Sequence, residues 1–388
     1  MRHWRAAVPR LSQFALEHLL LLPLGAAIAL VWVNVDAESY YRAAYALAFP
    51  VNDVAMMFFF ALMTKEVVEA TAPGGVLHPW QRAWLPVIAS LGATVVPAFL
   101  YLRVVEILEE PMLSVAWPVS FTTDIAVSYF FARIILGLHP AIPLLLLLGI
   151  ASDALAFLAL ALFNPLQELH LAAGALIMAA AIGLAFALRR LGVRSFWPYL
   201  IAAGSVSWFA FYWSGLHPAL ALIPIVPFLP HAARDPGFFV DARPSAHDAL
   251  SRFEIWWRYP AQIALFFFGL VNAGVPLRAL EPGTWGLAIA VVLGKPIGIL
   301  LAVGVAVKAG LHLPQSVGWR ELLVVSFTAA IGFSFGLFIG TALLPPGQLR
   351  TETSMGVLLT LFGAAFAFLA AKMLGVGRFG NAKDAKEA

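Results

Sequence analysis

Residues 121–163 read FTTDIAVSYFFARIILGLHPAIPLLLLLGIASDALAFLALALF, and this stretch decides the fold class. It predicts two apolar helices joined by a short turn, with Asp124 in the first helix and Asp153 in the second. An aspartate at the centre of a membrane helix costs roughly 2.5–3.5 kcal/mol on insertion scales. Each carboxylate therefore needs a cation, a proton or a counter-charge inside the protein.

The composition excludes an ordinary soluble domain. Of the 388 residues, 62% are hydrophobic and 12% are charged, and the mean hydropathy is +0.88, whereas soluble domains carry about 25% charged residues. Cysteine is absent, which excludes disulfides, thiolate metal sites and cysteine nucleophiles. The bases lie in loops and form no patch for nucleic acid. We expect one integral membrane domain over residues 1–388, in contact with lipid.

Hydropathy and the Pro, Gly and charged breaks predict an all-α polytopic membrane protein with about twelve spans. Their approximate limits are 13–34, 50–70, 83–105, 112–135, 140–164, 170–188, 195–213, 215–230, 253–275, 283–307, 320–344 and 352–375. Of the 24 Lys and Arg residues, 18 lie in or near loops on the side of the N-terminus and 4 in or near loops on the other side, with Lys65 and Lys295 not counted. Because basic residues concentrate in cytoplasmic loops, both termini are predicted to be cytoplasmic.

Two of the predicted spans are interrupted at mid-membrane depth. The fourth has Pro118 followed by a polar run that ends at Asp124, and the eleventh has Gly332 among small and polar residues. Irregular backbone at this depth is tolerated only where it lines a cavity or is covered by protein. Such a pair in two halves of a chain is typical of the site of a secondary transporter, with spans three to five and ten to twelve as the two repeats.

The isolated acid of the fifth span is the first choice for an ion-binding residue. Asp153 lies in GIASDALAF (residues 149–157) with apolar turns on both sides. Burial disfavours the charged form of a carboxyl group, so a proton and a small hard cation would compete for it. The alternative is a carboxyl group that stays protonated and only bonds a neighbouring helix. The hydroxyl of Ser152 is either an ion ligand or a donor to its own helix backbone.

The polar run of the fourth span supplies further oxygen atoms. Asp124 follows Thr122 and Thr123, whose hydroxyls are ligands of the kind that hard cations take. Na⁺ would then be held by Asp153 and Asp124, with Thr123 as a hydroxyl ligand. The alternative is that Asp124 only caps a half-helix, where a carboxylate offsets unpaired backbone dipoles. The two roles are compatible.

One base lies deep in an apolar span. Lys295, in VVLGKPIGILLAV (residues 291–303), has apolar residues on both sides. A buried ammonium must pair or lose its proton. Asp153 is the predicted partner and Asp124 the second choice. The alternative is that the side chain snorkels to an interface.

The remaining acidic residues and the sequence motifs give less information about function. Glu66 closes the second span, and it either lines a funnel that draws cations or belongs to an ion-pair cluster with Lys65 and Glu69. No histidine pair has metal-ligand spacing inside one element. The sequence has no nucleophile elbow, HExxH, GxGxxG or Walker frame. We therefore expect neither an enzyme nor a cofactor.

Seven stretches, taken in order, carry a family resemblance. They are VNDVAMMFFFALMTKEVVEA (51–70), LPVIASLGATVVPAFLYL (85–102), WPVSFTTDIAVSYFFARIILGLHPAIPLLLLLGIASD (117–153), SGLHPALALIPIVPFLP (214–230), FFFGLVNAGVPL (266–277), LGKPIGI (293–299) and AAIGFSFGLFIGTAL (329–343). With these stretches the chain resembles the NhaA family of bacterial sodium/proton antiporters over most of its length.

The resemblance implies an architecture. It implies inverted repeats in which the fourth and eleventh helices are broken and cross. It also implies a core formed by residues 83–164 and 283–375 with spans two and nine, a scaffold or dimerisation part, and a cytoplasmic tail over residues 376–388. A homodimer in the bacterial inner membrane and a role in pH homeostasis follow from the same resemblance.

The resemblance also implies roles for residues. Asp153 would be the main carrier of ion and proton, with Asp124 and Thr123 at the crossing and Lys295 as the buried base nearby. Asp53 and Glu66 would be accessory acids on the second helix.

Three features depart from the family pattern. Ser152 stands where the family has the first of two adjacent aspartates, the usual partner of the lysine on helix ten. The loop DAESYYRAAYALAF (36–49) is too short for the hairpin through which family members dimerise. The histidine-rich start of helix nine, linked to pH sensing in the family, is FEIWWRYP (253–260) here, and only Glu254 resembles it.

The sequence thus predicts a secondary antiporter that exchanges Na⁺ or Li⁺ for H⁺ by competition at Asp153. One Na⁺ displacing one proton moves no net charge, and we expect electroneutral exchange unless a second proton comes from Asp124 or Lys295. Two alternatives from other classes are a cation channel or uniporter, and a non-transporting sensor or scaffold descended from the same fold.

Overall fold

The structure is a computed structural model that describes residues 21–71, 84–137, 139–163, 170–231, 248–314 and 317–380. The basic N-terminal flank, most of the polar loop 231–254 and the end of the predicted tail lie outside the described residues. The chain divides into two compact units. The first is Met1–Val68, Gln167–Ala232 and Val240–Pro276, and the second is Glu69–Leu166, Ala233–Phe239 and Leu277–Ala388.

The described part of the first unit contains α-helices and two π-helical turns. Apolar residues with very low exposure, among them Tyr199, Leu222 and Phe253, form its core. The π-helical turns cover Phe49–Ala55 and Tyr199–Gly204. The α-helices are α1 (Leu21–Val35), α2 (Ala37–Ala48), α3 (Met56–Thr71, of which the unit holds the part up to Val68), α7 (Leu171–Arg190), α8 (Ser205–Ser214) and α9 (Ala249–Asn272).

The second unit contains the interrupted spans. A 3₁₀ helix, Pro111–Phe121, precedes the second α-helix of this unit. The α-helices are α4 (Trp84–Ile107), α5 (Ile125–Leu136), α6 (Ala141–Phe163), α10 (Pro282–Lys308), α11 (Trp319–Ala329), α12 (Phe333–Leu343), α13 (Gln348–Leu359) and α14 (Phe362–Leu374).

Helix length and hydropathy confirm the predicted class. Within the described ranges the regular structure is helical, and six helices are long and apolar enough to cross a membrane: Ala37–Glu69, Trp84–Ile107, Ala141–Leu160, Ala172–Arg190, Pro282–Lys308 and Gln348–Phe379. The number is eight if each of two bent helix pairs is one span. The 3₁₀ helix bends by 53° against α5, and α11 bends by 43° against α12. Both bends fall where the sequence predicts interrupted spans.

The predicted eighth span, 215–230, is wrong as a continuous helix. This segment contains only two short 3₁₀ helices, Pro218–Leu220 and Val226–Phe228, joined by turns. Four prolines in the segment remove backbone donors that an α-helix needs. The apolar side chains that suggested a span are instead buried in the first unit, where Ile225 and Leu229 are fully buried.

Helices α4 and α10 cross at two glycines that have no room for a side chain. A Cβ atom added to Gly92 would overlap the backbone oxygen of Gly298, and a Cβ atom on Gly298 would overlap the oxygen of Gly92. Small residues of this kind let membrane helices approach closely. Because α10 carries Lys295, this crossing fixes the position of the buried base.

We expect Gly298→Ala to lower the free energy of unfolding by about 1–3 kcal/mol, since overpacking forces the helices apart. The control is Gly183→Ala on α7, where an added Cβ atom has nothing within 4 Å and better helix propensity stabilises by up to about 1 kcal/mol. Thermal unfolding of both purified variants in detergent measures the difference. Equal transition temperatures would contradict the close crossing.

Candidate functional site

The two bends lie against each other within the second unit. After the 3₁₀ helix, the backbone of Thr122 is extended, and α5 begins directly after Asp124. The backbone N–H of Asp124 donates to the oxygen of Ile331, between α11 and α12, at 2.6 Å. A Cβ atom on Gly332 would lie 2.9 Å from the oxygen of Thr122. Glycine is therefore required at this point because the two broken chains touch through their backbones.

The carboxylate of Asp124 caps two helices at once. Its Oδ1 accepts a hydrogen bond from the N–H of Val127 in the first turn of α5 at 2.9 Å. Its Oδ2 accepts one from the N–H of Ser334 in the first turn of α12 at 2.7 Å. Helix N-termini carry unpaired donors and a partial positive charge. One buried carboxyl group thus binds the starts of both second halves.

The ammonium of Lys295 has the opposite role at the ends of the first halves. Its Nζ donates to the oxygen of Thr122, to Oγ1 of Thr123 at 3.0 Å and to the oxygen of Ala329 at 3.1 Å. The carbonyl oxygens belong to the ends of the 3₁₀ helix and of α11, where the helix dipole is negative. An ammonium has three donors, and here each has an acceptor.

The predicted ion pairs of Lys295 are absent. Among the described residues no carboxylate oxygen lies within 4.0 Å of its Nζ, so it pairs with neither Asp153 nor Asp124. Asp153 interacts with it only at longer range. The physical reason is that the two bent helix pairs meet at this point. The ends of the 3₁₀ helix and of α11 present carbonyl oxygens that lie nearer to the ammonium than the carboxylates do. Snorkelling is also excluded, because Lys295 is fully buried.

Only one of the two carboxylate oxygens of Asp153 accepts a hydrogen bond from the described part of the chain. It lies in the middle of α6 and is 7% exposed. Its Oδ1 accepts a hydrogen bond from the backbone N–H of Thr123 at 3.1 Å. The other carboxylate oxygen has no hydrogen-bond partner in the described part of the chain. The structure therefore brings Asp153 to the crossing and leaves one of its oxygens free.

The predicted accessory acids lie in the first unit. Asp53 is on the π-helical turn Phe49–Ala55 and is partly exposed. Glu66 and Glu254 both approach the buried ammonium of Lys65, at 3.3 Å and 2.9 Å. An ion-pair cluster, one of the two predicted alternatives for Glu66, is thus present. The funnel role stays a prediction.

Residues 13–373 match the sequence model of the family described as Na⁺/H⁺ antiporter 1. The chain belongs to this family. Relatives named Na(+)/H(+) antiporter NhaA include that of Desulfitobacterium hafniense (strain DSM 10664 / DCB-2), 38% identical over 94% of this chain and 96% of the relative. The relative from Geotalea uraniireducens (strain Rf4) is 37% identical over 93% and 96%. The predicted family is confirmed.

A solved antiporter has the same overall fold. The sodium proton antiporter MjNhaP1 from Methanocaldococcus jannaschii, solved at pH 8, aligns with a TM-score of 0.59 at 14% sequence identity. The alignment covers 94% of this chain and 92% of that one. At this identity the likeness concerns the fold alone.

Sequence reasoning did not identify several groups that stabilise the contact between the two bent helix pairs. Ser128 donates its hydroxyl to the oxygen of Thr328 at 2.8 Å, which ties α5 to the end of α11. Thr360 accepts the N–H of Gly332 at 3.0 Å. The only sequence signal for either is a hydroxyl in an apolar span. The backbone oxygens that bind Lys295 give no signal at all, because every residue carries one.

Proposed function

We propose that this chain exchanges Na⁺ or Li⁺ for H⁺ across the bacterial inner membrane, with cation and proton competing for Asp153. The observation that carries the proposal is the half-bound carboxylate at the crossing, where Oδ1 is fixed by Thr123 and the other oxygen is free. Family membership supports the same reaction class, since the relatives are named Na⁺/H⁺ antiporters. Of the predicted transporting core, residues 83–164 and 283–375 fall in the second unit, whereas spans two and nine fall almost entirely in the first unit, whose other spans would be the scaffold.

Three site residues would have separate roles in this exchange. Asp153 binds either a proton or the cation through its free oxygen, because a protonated carboxyl group is a poor ligand for a hard cation. Asp124 holds the two half-helix starts, and its remaining lone pairs make it a second candidate ligand. Lys295 balances the negative charge of the site without occupying a carboxylate.

The test uses purified protein in liposomes that contain a pH-sensitive dye and carry an imposed proton gradient. Addition of Na⁺ is expected to dissipate the gradient. Na⁺ flux without proton counter-flow would favour a channel or uniporter instead. No Na⁺ response from folded protein at any pH near neutrality would favour a non-transporting sensor or scaffold.

We further propose that the exchange is electroneutral. All three donors of Lys295 are bound to carbonyl and hydroxyl oxygens, so this residue has no carboxylate partner for Na⁺ to displace. The ammonium then keeps its proton throughout the cycle. One Na⁺ displaces one proton from Asp153, and no net charge moves.

Electroneutral exchange predicts no Na⁺ accumulation when a membrane potential is imposed without a pH gradient. One net charge per cycle would contribute about 2.3 kcal/mol per 100 mV, which corresponds to a Na⁺ gradient of about 50-fold. Tracer Na⁺ in potassium-loaded liposomes with valinomycin measures this. An imposed pH gradient in the same liposomes is the control and should drive uptake. Accumulation driven by potential alone would show electrogenic exchange.

We propose in addition that both termini are cytoplasmic, as the asymmetry of basic loops indicates. The chain contains no cysteine, so single cysteines are introduced without removing others. A cysteine at Ala388 should react with a membrane-impermeant maleimide only in inverted vesicles. Labelling in intact cells would show that the C-terminus lies outside and would contradict the predicted orientation.

A further inference from the structure

The two hydroxyls predicted as ion ligands are in different states. Thr123 already makes two hydrogen bonds, since its Oγ1 donates to the oxygen of Ala329 at 3.2 Å and accepts from Lys295 at 3.0 Å. Ser152 is fully buried, and its Oγ has no hydrogen-bond partner within the described residues. A cation bound to the oxygen of Ser152 would break no hydrogen bond, whereas a cation bound at Thr123 would lie beside the ammonium of Lys295 and be repelled by it.

The unpaired hydroxyl of Ser152 is unusual for a buried helical serine. Such a serine ordinarily gives its proton to a backbone oxygen three or four residues earlier. Six other buried serines donate to backbone oxygens in this way or across helices: Ser90, Ser120, Ser128, Ser207, Ser214 and Ser326. A buried polar atom without a partner costs about 1–3 kcal/mol, and in a native structure it calls for a ligand or a function.

We propose that Ser152 supplies the hydroxyl ligand of the transported cation and that Thr123 does not. The inference rests on the proposed function and specifies its binding site. Ser152 and Asp153 are consecutive on α6, and side chains of consecutive helical residues point about 100° apart. This divergence disfavours a direct bond between them, so neither side chain satisfies the other. Carboxylate and neutral oxygens together are the donor set that hard cations take.

Transport by Ser152→Ala in liposomes tests the inference. We expect the apparent KM for Na⁺ to rise about tenfold, which corresponds to one lost contact to a charged group. Ser152→Cys should behave in the same way, because sulfur is a soft ligand of similar size. The matched control is Thr353→Val, which removes another buried hydroxyl without a partner, on α13. Its KM should match that of the unchanged chain.

Thermal unfolding distinguishes a ligand from a structural residue. Without Na⁺ the transition temperature of Ser152→Ala should equal or exceed that of the unchanged chain, since an unsatisfied polar atom is removed. The rise in transition temperature on adding Na⁺ should shrink, because weaker binding stabilises less. A lower temperature without Na⁺ together with an unchanged KM would assign Ser152 a structural role and overturn the inference.

Failure of the inference differs from failure of the proposed function. If the unchanged chain shows Na⁺-coupled proton flux and Ser152→Ala has the same KM for Na⁺, the ligand role of Ser152 is wrong and antiport stands. If the unchanged chain shows no coupled flux, antiport itself is wrong. A large rise in KM in Thr123→Val, with none in Ser152→Ala, would move the hydroxyl ligand to Thr123.

Discussion

Asp153→Asn is expected to reduce Na⁺-dependent proton flux to the background of empty liposomes. The amide has the shape of the carboxylate, and its oxygen still accepts the N–H of Thr123, which Oδ1 accepts in the unchanged chain. It neither gains nor releases a proton near neutral pH, and it offers the cation no negative charge. Both halves of the exchange are lost, since one group serves proton and cation alike. Dye dequenching after addition of Na⁺ is the measurement.

Two controls make this result specific to the carboxylate. Asp36→Asn changes an exposed aspartate that accepts the N–H of Ser39 at the start of α2, and it should leave flux unchanged. The thermal transition of Asp153→Asn without Na⁺ should not fall, because the amide places no charge in the buried site. Coupled flux that persists in Asp153→Asn would exclude this residue as the carrier.

The second large effect concerns stability. Asp124→Ala leaves the first turns of α5 and α12 without the acceptor that now binds the N–H groups of Val127 and Ser334. A lost N-cap costs about 1 kcal/mol, and a buried donor left unpaired costs about 1–3 kcal/mol. The ammonium of Lys295 also loses a negative charge at the crossing. We expect the free energy of unfolding to fall by about 2–5 kcal/mol.

The measurement for Asp124 compares three variants by thermal unfolding in detergent. Asp124→Asn keeps one acceptor oxygen and turns an N–H group toward one helix start, so its loss should be intermediate. Asp36→Ala removes a cap at an exposed helix start and should cost about 1 kcal/mol or less. If Asp124→Ala unfolds like Asp36→Ala, the double cap at the crossing is not a main source of stability.

Several features of fold and site follow from sequence because they depend on solvent and local backbone. A lone carboxylate in an apolar helix is costly wherever the helix packs, so Asp153 is identifiable without a partner. Pro118 and Gly332 interrupt their spans through missing donors and missing side chains, which are local properties. The span 215–230 shows the limit, since hydropathy registers burial but does not separate a membrane helix from a buried irregular segment.

The sequence by itself therefore determined the membrane-embedded helical class, the family, the two interrupted spans and the isolated acid Asp153. Only the tertiary structure decided which groups meet. Lys295 binds Thr122 and Ala329, more than 30 residues away along the chain in each case, through backbone oxygens that no sequence pattern marks. The free hydroxyl of Ser152 is likewise visible only in place, because whether a buried polar atom is satisfied depends on every element packed around it.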